Sequence, residues 1–219
     1  MKKLIMLLSV LALCSCVSVY YQTSELKANS AFIKNNNVYE DSTFKITYNF
    51  WAVGGILKFD IYNKLSIPIY IDWNRSNFIL NGKSSTYTEN GSAQHAMTGQ
   101  GVAKLAMLNG SEYYVSIPNT EQINTQIPPH SYISVNRFNF NVPYYSIGYY
   151  PKKRDSTEYN YDNSILHFRN YIGYTTKQDL SNLKLIDNEF WVSKVTTISG
   201  RYFNESTVIP CEFYTTYLR

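Results

Sequence analysis

Cysteine is scarce in this chain, and two of its three copies lie close to the N-terminus. Cys14 and Cys16 fall within the first sixteen residues, so Cys211 is the only thiol of the chain that follows. A domain with one thiol cannot form an internal disulfide, and C-x-x-C metal or redox chemistry is excluded. Cys211 is expected to be a small buried apolar residue, and stability must come from packing.

Charge of either sign is also scarce, at 16% of residues, and the formal net charge is only +4. No stripe of Lys and Arg is present, and the cluster Lys152-Lys153-Arg154 is typical of a solvated loop. We therefore expect no nucleic-acid partner. The three histidines lie too far apart for the i, i+4 spacing of a helical zinc pair, so neither a metal site nor a cofactor is predicted.

Motifs of known catalytic chemistry are missing as well. The sequence has no G-x-S-x-G elbow for a hydrolase nucleophile, and its glycines form no phosphate-binding pattern after a clear strand. Asp60 and Asp72 alternate with apolar residues and are predicted to face solvent. Sheet-surface positions then account for them without a glycosidase carboxylate pair. We expect that the protein is not an enzyme.

The one hydrophobic run of the chain marks its N-terminus. Leu4 to Leu13 follows Lys2 and Lys3 and spans ten residues, too few for a bilayer, which needs about twenty. The run ends in Leu13-Cys14-Ser15-Cys16, the pattern of a lipoprotein signal, with an aliphatic residue three positions before the lipidated cysteine and a small residue directly before it. Cys16 meets both demands, whereas Leu13 is too large to precede a lipidated Cys14.

These features predict the domain organisation. Residues 1–15 are interpreted as a removable signal peptide, Cys16 as the lipidated first residue, and residues 16–42 as an anchor and polar tether. The acyl chains on Cys16 make the membrane a partner and place the protein in a bacterial envelope. Residues 43–219 suit a single domain, because the processed chain of 204 residues is long enough for one sizeable core. The processed chain has 18 basic and 16 acidic side chains, so its net charge is small. The alternative interpretation of residues 1–15 is an ordinary secretory signal, in which case Cys16 would carry no lipid.

Aromatic residues are abundant, with 21 Tyr, 11 Phe and 3 Trp, and they recur with a period of two. Phe44, Ile46, Tyr48 and Phe50 alternate with polar residues, which is typical of half-buried antiparallel strands, and the same pattern recurs along most of the chain. Asn81-Gly82 and a glycine pair at 54–55 predict turns. Eight to ten short strands favour an all-β, antiparallel β-sandwich, and an immunoglobulin-like arrangement is the leading interpretation.

One short helix is predicted among these strands. Thr176 could cap its N-terminus, because Asp179 follows three residues later and the segment runs to Leu183.

Six short segments carry a resemblance to a known family: 20–22 (YYQ), 39–55 (YEDSTFKITYNFWAVGG), 59–64 (FDIYNK), 67–82 (IPIYIDWNRSNFILNG), 164–174 (SILHFRNYIGY) and 188–198 (NEFWVSKVTTI). The chain resembles an uncharacterised lipoprotein family of the Bacteroidetes. The resemblance implies a β-sandwich on a lipid anchor, but no activity and no functional residues. Surface lipoproteins of that phylum tend to carry acidic residues directly after the cysteine. Residues 17–22 have none, which favours an outer-membrane protein facing the periplasm.

Two functions from different classes follow. The first is a non-catalytic interaction module that contacts envelope proteins through loops or a sheet face. The second is a carbohydrate-binding or carbohydrate-processing protein, because six tyrosines in the segment 143–163 could offer rings to a glycan: Tyr144, Tyr145, Tyr149, Tyr150, Tyr159 and Tyr161. Packing at sheet edges explains the same tyrosines. Asp41-Ser42-Thr43 and Asp155-Ser156-Thr157 also resemble an O-glycosylation pattern, with Ser42 and Ser156 as acceptors.

Overall fold

A computed structural model describes residues 18–30, 33–88, 102–105, 113–116, 124–144 and 151–218, with 102–105 and 113–116 described at the level of the backbone. These residues form strands and turns with one short 3₁₀ turn, Gly200–Tyr202, and they contain no helix of seven residues or more. Within the same ranges no helix has the length and hydrophobicity that a bilayer span requires.

The described strands follow in chain order as β1 (Val19–Ala28), β2 (Ile33–Lys34), β3 (Val38–Glu40), β4 (Phe44–Asn49), β5 (Ile56–Asn63), β6 (Ile69–Leu80), β7 (Lys83–Thr86), β8 (Val102–Leu105), β9 (Tyr113–Ser116), β10 (Asn124–Ile127), β11 (Tyr132–Asn139), β12 (Arg154–Glu158), β13 (His167–Thr175), β14 (Lys184–Ser199) and β15 (Glu212–Leu218).

The strands build two main antiparallel sheets, one of them curled into a half-barrel. The larger sheet has the order β10-β6-β13-β14-β1-β15, and β7 and β12 pair with β6 and β14. The smaller sheet has the order β11-β5-β4-β3-β2, and β8 pairs with β9. Because β14 is 16 residues long, it pairs with β13 along its first half and with β12 along its second.

The predicted alternation of the smaller sheet is confirmed. Phe44, Ile46, Tyr48 and Phe50 are each 0% exposed, and the intervening residues of β4 are exposed or half-buried. A strand turns successive side chains to opposite faces, so a period of two with apolar residues places one whole face in the core.

The predicted turns are confirmed too. Asn81 and Gly82 both have positive φ, at 46° and 80°, which is the type I′ geometry that joins β6 to β7 through a two-residue loop. Gly55 has a φ of 80°, and a Cβ atom on it would lie 2.5 Å from the Phe140 ring. Only glycine fits that position without displacing the ring.

Rings from both sheets meet in the core. Tyr48 of β4 lies 4.9 Å from Phe190 of β14 between ring centroids, and Phe50 lies 5.3 Å from Phe168 of β13. Most of these pairs are edge-on or tilted, the arrangements that aromatic quadrupoles favour. These buried aromatic residues therefore help to hold the two sheets face to face.

A polar network is enclosed within this aromatic core. The Tyr48 hydroxyl accepts hydrogen bonds from Nδ2 of Asn188 at 2.7 Å and Nδ2 of Asn170 at 3.1 Å. Tyr87 donates its hydroxyl proton to Oδ1 of Asn170 at 2.6 Å. All four side chains are at most 2% exposed, so the network gives these hydroxyl and amide groups internal partners in place of water, and only Oδ1 of Asn188 among them is buried without a partner.

The expectation of a polar tether over residues 16–42 is wrong for Val19–Ala28, Ile33–Lys34 and Val38–Glu40, which are strands. Residues 19–28 form β1, which lies between β14 and β15 inside the larger sheet. The inward positions of β1 include Gln22 and Ser24, which are 1% and 3% exposed, and Gln22 donates to Thr197 Oγ1 at 3.0 Å. Because these buried residues are polar, β1 lacks the apolar alternation that marks the other strands.

The predicted helix at 176–183 is also wrong. The segment is a pair of turns in which Leu180 and Asn182 have positive φ, at 57° and 53°. The Thr175 hydroxyl donates to the Ser181 carbonyl at 2.6 Å, and Asp179 accepts the Ser181 N–H at 3.0 Å. Short side chains that bond to nearby backbone stabilise turns in competition with a helix.

Candidate binding cleft

A cleft of about 320 Å³ lies on the outer face of the larger sheet. Residues of β1, β14 and β15 form its floor, Arg154 of β12 contributes one side, and the segment 202–209 contributes the other. The cleft is thus built from strands that are far apart in the sequence and neighbours in the sheet.

The floor of the cleft carries a row of charges. Thr23 and Glu25 point outward from β1, since their neighbours Ser24 and Leu26 are buried. Glu25 is paired with Lys194 of β14 on one side and with Glu212 of β15 on the other. Directly opposed residues share a face of the sheet, so two carboxylates and an ammonium group lie side by side.

The two carboxylates differ in their surroundings. Burial raises the pKa of Glu212, and the nearby charge of Glu25 raises it further. A hydrogen bond from Thr23 and the charges of Arg154 and Lys194 oppose that rise in pKa. With two cationic and two carboxylate side chains, the cleft offers both donors and acceptors and carries little net charge.

Aromatic rings form the wall beside this row. Tyr21 stacks on Phe203 with centroids 4.0 Å apart, and Trp51 lies 4.9 Å from Tyr214 and 6.3 Å from Phe203. The Tyr214 hydroxyl donates to the Glu205 carboxylate, and burial together with that bond raises the pKa of Tyr214 to about 12. Trp51 and Phe203 line the cleft, and the rings of Tyr21 and Tyr214 support them from behind.

The segment 202–209, which forms one side of the cleft, is held at its C-terminal end by backbone hydrogen bonds to two other parts of the chain. The Phe50 N–H donates to the Pro210 carbonyl at 2.9 Å, and the Leu26 N–H donates to the Cys211 carbonyl at 2.9 Å. Within the segment, Asn204 Oδ1 accepts the N–H of Ser206 at 3.1 Å. The cleft is therefore preformed, which lowers the entropy cost of binding. The Cys211 thiol itself is half-buried, and burial raises its pKa.

The described tyrosines of the predicted aromatic segment do not share one surface. Tyr144 stacks on Tyr217 at 4.8 Å, beside the end of β14, whereas Tyr161 lies 4.8 Å from His167 and donates to Glu189 Oε1 at 2.8 Å. Tyr159 packs against the core. Tyr145, Tyr149 and Tyr150 lie outside the described residues, and a role of these rings in ligand contact stays a prediction.

The other predicted sites stay untested. Ser42 and Ser156 are both exposed, as an O-glycosylation acceptor must be, and Cys16 lies outside the described residues. No group of three or more His, Cys, Asp or Glu side chains that could hold a metal ion occurs in the part of the chain that the structure describes.

The expectation that Asp72 faces solvent is wrong. Asp72 is 3% exposed and sits where β6 bulges against β13. Its Oδ1 accepts the backbone N–H of Asn74 at 3.0 Å, and its Oδ2 lies 3.5 Å from Nε of Arg75. The carboxylate stabilises the bulge. Asp60 is half-buried and accepts a hydrogen bond from Ser134.

Sequence reasoning missed the cleft. Its floor depends on β1, whose inward polar residues hid the strand, and on the pairing of the first strand with the last two. The sequence signal for β1 is weak: Tyr21, Thr23 and Glu25, which face outward, alternate with Gln22 and Ser24, which are buried although polar.

Comparison with protein-family models, with curated proteins and with solved structures gave no significant match. The function of the chain has to be argued from the cleft itself.

Proposed function

We propose that this protein is a lipid-anchored lipoprotein of a bacterial outer membrane whose folded part is a non-catalytic interaction module. Cys16 would carry the acyl chains, with the folded part facing the periplasm. The two packed sheets support a β-sandwich, and the immunoglobulin-like arrangement of its strands stays a prediction. The cleft on the larger sheet is the proposed contact surface.

The composition of the cleft carries the proposal. A rigid wall built from Trp51 and Phe203 stands beside a floor of paired opposite charges, so a partner can bury an apolar group and satisfy polar groups in the same place. Interface centres are rich in aromatic residues and arginine for this reason. The cleft is also preformed, so little ordering is required when a partner binds.

A position-specific photocrosslinking experiment in the native envelope tests the contact surface. A benzophenone amino acid replaces Thr207, an exposed residue that lines the cleft, and the matched control replaces Tyr132, 44% exposed on the smaller sheet. We expect an adduct from position 207 that is absent from position 132 and weakens in Lys194→Glu. The same adducts from both positions, or none from 207, would contradict the proposal.

The anchor is tested separately by the intact mass of the envelope-derived protein. We expect a mass that starts at Cys16 with attached acyl chains, and an unlipidated chain after Cys16→Ser. An unmodified cysteine at position 16 in the wild type would refute the lipoprotein assignment while leaving the cleft experiment interpretable.

A carbohydrate ligand is the second candidate, and the cleft wall is the observation that favours it. A pyranose ring presents an apolar face, which stacks on indole or phenyl rings, and hydroxyl groups, which bond to charged or hydroxyl side chains. Trp51 offers the ring, and Thr23, Glu25, Lys194 and Thr196 offer the polar partners.

A glycan array with the wild type and Trp51→Ala tests this candidate. We expect binding by the wild type that the substitution removes. Trp191→Ala serves as the control, because Trp191 lies beside Tyr161, outside the cleft. A silent array, or equal signals from both variants, would eliminate carbohydrate binding at the cleft.

A further inference from the structure

Three strands meet at one end of the larger sheet. Val19 at the start of β1 pairs with Leu218 at the end of β15, and Tyr20 pairs with Ser199 at the end of β14. The backbone then continues into the 3₁₀ turn Gly200–Tyr202, where a Cβ atom on Gly200 would lie 2.9 Å from the Val19 carbonyl oxygen. Val19, where the described chain enters the larger sheet, is therefore surrounded by the end of β15, the end of β14 and the 3₁₀ turn.

Basic side chains gather at this end. The Ser199 N–H donates to the Lys153 carbonyl at 2.9 Å, which holds Lys152 and Lys153 beside the end of β14. Both lysines are exposed, as is Arg201 in the 3₁₀ turn. The first carboxylate after these two lysines, Asp155 of β12, pairs with Thr197, which lies two residues further from the end of β14 than Ser199. The end is therefore positively charged.

Aromatic and aliphatic side chains share the same end. Leu218 is 68% exposed and Tyr217 is 36% exposed, large values for apolar side chains at the end of a strand. Tyr144 stacks on Tyr217 at 4.8 Å between centroids. Tyrosine with lysine or arginine is the combination found where proteins meet lipid headgroups, because the ring enters the interface and the cation meets phosphate.

We propose that this end, which we call the basal face (Lys152, Lys153, Arg201, Tyr217 and Leu218), docks on the anionic surface of the lipid bilayer. The inference rests on the proposed function, because the lipid anchor at Cys16 is what keeps this end of the sheet close to the bilayer. Cys16 precedes Val19 by three residues, and three residues reach at most about 11 Å. A bilayer that holds the acyl chains of Cys16 thus lies within reach of the basal face, and the charges there match anionic headgroups.

Binding of the unlipidated mature chain to vesicles tests the basal face without the anchor. Residues 16–219 with Cys16→Ser are mixed at low salt with phosphatidylcholine vesicles that contain or lack phosphatidylglycerol. We expect binding only with phosphatidylglycerol, and about 30-fold weaker partition for Lys152→Gln/Lys153→Gln, since each basic residue near a bilayer contributes about 1 kcal/mol. Higher salt should weaken the binding further.

The matched control is Lys177→Gln/Lys184→Gln, which removes the same charge. Lys184 begins β14, fifteen residues from Ser199 and about 50 Å along the strand. This variant is expected to bind as the wild type does. Equal loss in both double variants would show attraction by net charge alone and would overturn the proposal, as would binding that ignores phosphatidylglycerol or is absent from both vesicles.

Orientation is tested in the lipidated protein reconstituted in the same anionic vesicles. With Cys211→Ala, a nitroxide is attached at Leu218→Cys or, as the control, at Gln178→Cys. We expect the label at 218 to show the oxygen-to-nickel accessibility ratio of the headgroup region and the label at 178 to show that of bulk water. Aqueous ratios at both positions would refute docking. The intact mass of the protein shows first whether Cys16 carries acyl chains. An absent anchor and a basal face that does not dock therefore give different results.

Discussion

Removal of one oxygen atom from the core should expose how much the enclosed polar network contributes to stability. Tyr48→Phe deletes the hydroxyl that accepts hydrogen bonds from Asn188 Nδ2 at 2.7 Å and Asn170 Nδ2 at 3.1 Å. Both donors stay buried, at 1% and 0% exposure, and a deleted oxygen leaves little room for water. Each of the two unsatisfied buried donors costs about 1–3 kcal/mol, so we expect a loss of about 2–6 kcal/mol.

Equilibrium unfolding in urea, with thermal unfolding as a second measurement, gives the change in free energy. A chain of this size loses about 2–4 °C in Tm per kcal/mol, so a loss of about 4 kcal/mol, the middle of the range, corresponds to a fall of roughly 8–16 °C. Tyr132→Phe is the control, because Tyr132 is 44% exposed and an exposed substitution changes stability by less than about 0.5 kcal/mol.

A double-mutant cycle separates the network from general loss of packing. In Tyr48→Phe/Asn188→Leu one orphaned donor is replaced by an apolar side chain of similar shape, so the double variant should be more stable than the sum of the single variants predicts, by at least about 1 kcal/mol. A Tyr48→Phe protein as stable as Tyr132→Phe, or additive single effects in the cycle, would refute the reasoning.

The remaining predictions concern the cleft and one turn. Because burial raises the pKa of Glu212 in the folded state, the folded chain binds more protons than the unfolded chain between the ordinary glutamate pKa and the raised one, and stability falls as pH rises through that window. The free energy of unfolding of Glu212→Gln should therefore rise relative to that of the wild type between about pH 4 and about pH 7, by no more than about 1 kcal/mol because the group is half-exposed. Urea unfolding of both proteins at the two pH values measures this change. A difference between the two proteins that is the same at both pH values would contradict the prediction. Gly55→Ala should cost at least about 1 kcal/mol more in unfolding free energy than Gly82→Ala, since both have a φ of 80° but only Gly55 abuts Phe140; equal losses would show that the ring moves aside freely.

The alternation of apolar residues predicted individual strands well where the core contact of a strand is apolar. Phe44, Ile46 and Tyr48 mark β4 because their shared face lies wholly in the core. The same reasoning failed for β1, whose buried inward residues include the polar Gln22 and Ser24, and Gln22 is stabilised by a hydrogen bond to Thr197 of β14. A periodicity rule detects hydrophobic burial, and a strand buried through hydrogen bonds escapes it.

Local signals also failed where side chains compete with the backbone. Thr176 and Asp179 fit a capped helix, but Thr175 and Asp179 bond to the Ser181 backbone and fix two turns instead. The positive φ of Leu180 then prevents a continuous helix. A sequence of this kind favours both outcomes locally, and only the positions of β13 and β14 on either side decide between them.

By itself the sequence determined the all-β, antiparallel class, the strand faces rich in aromatic residues and the turns at Asn81-Gly82 and Gly55, because each depends on neighbours within a few residues. Tertiary structure alone decided that the first strand lies between the last two, and with that decision came both proposed surfaces. Glu25 meets Lys194 and Glu212, and Val19 meets Leu218, only across the sheet. The physical reason is that cross-strand pairing joins residues nearly two hundred positions apart, and no local pattern encodes such a register.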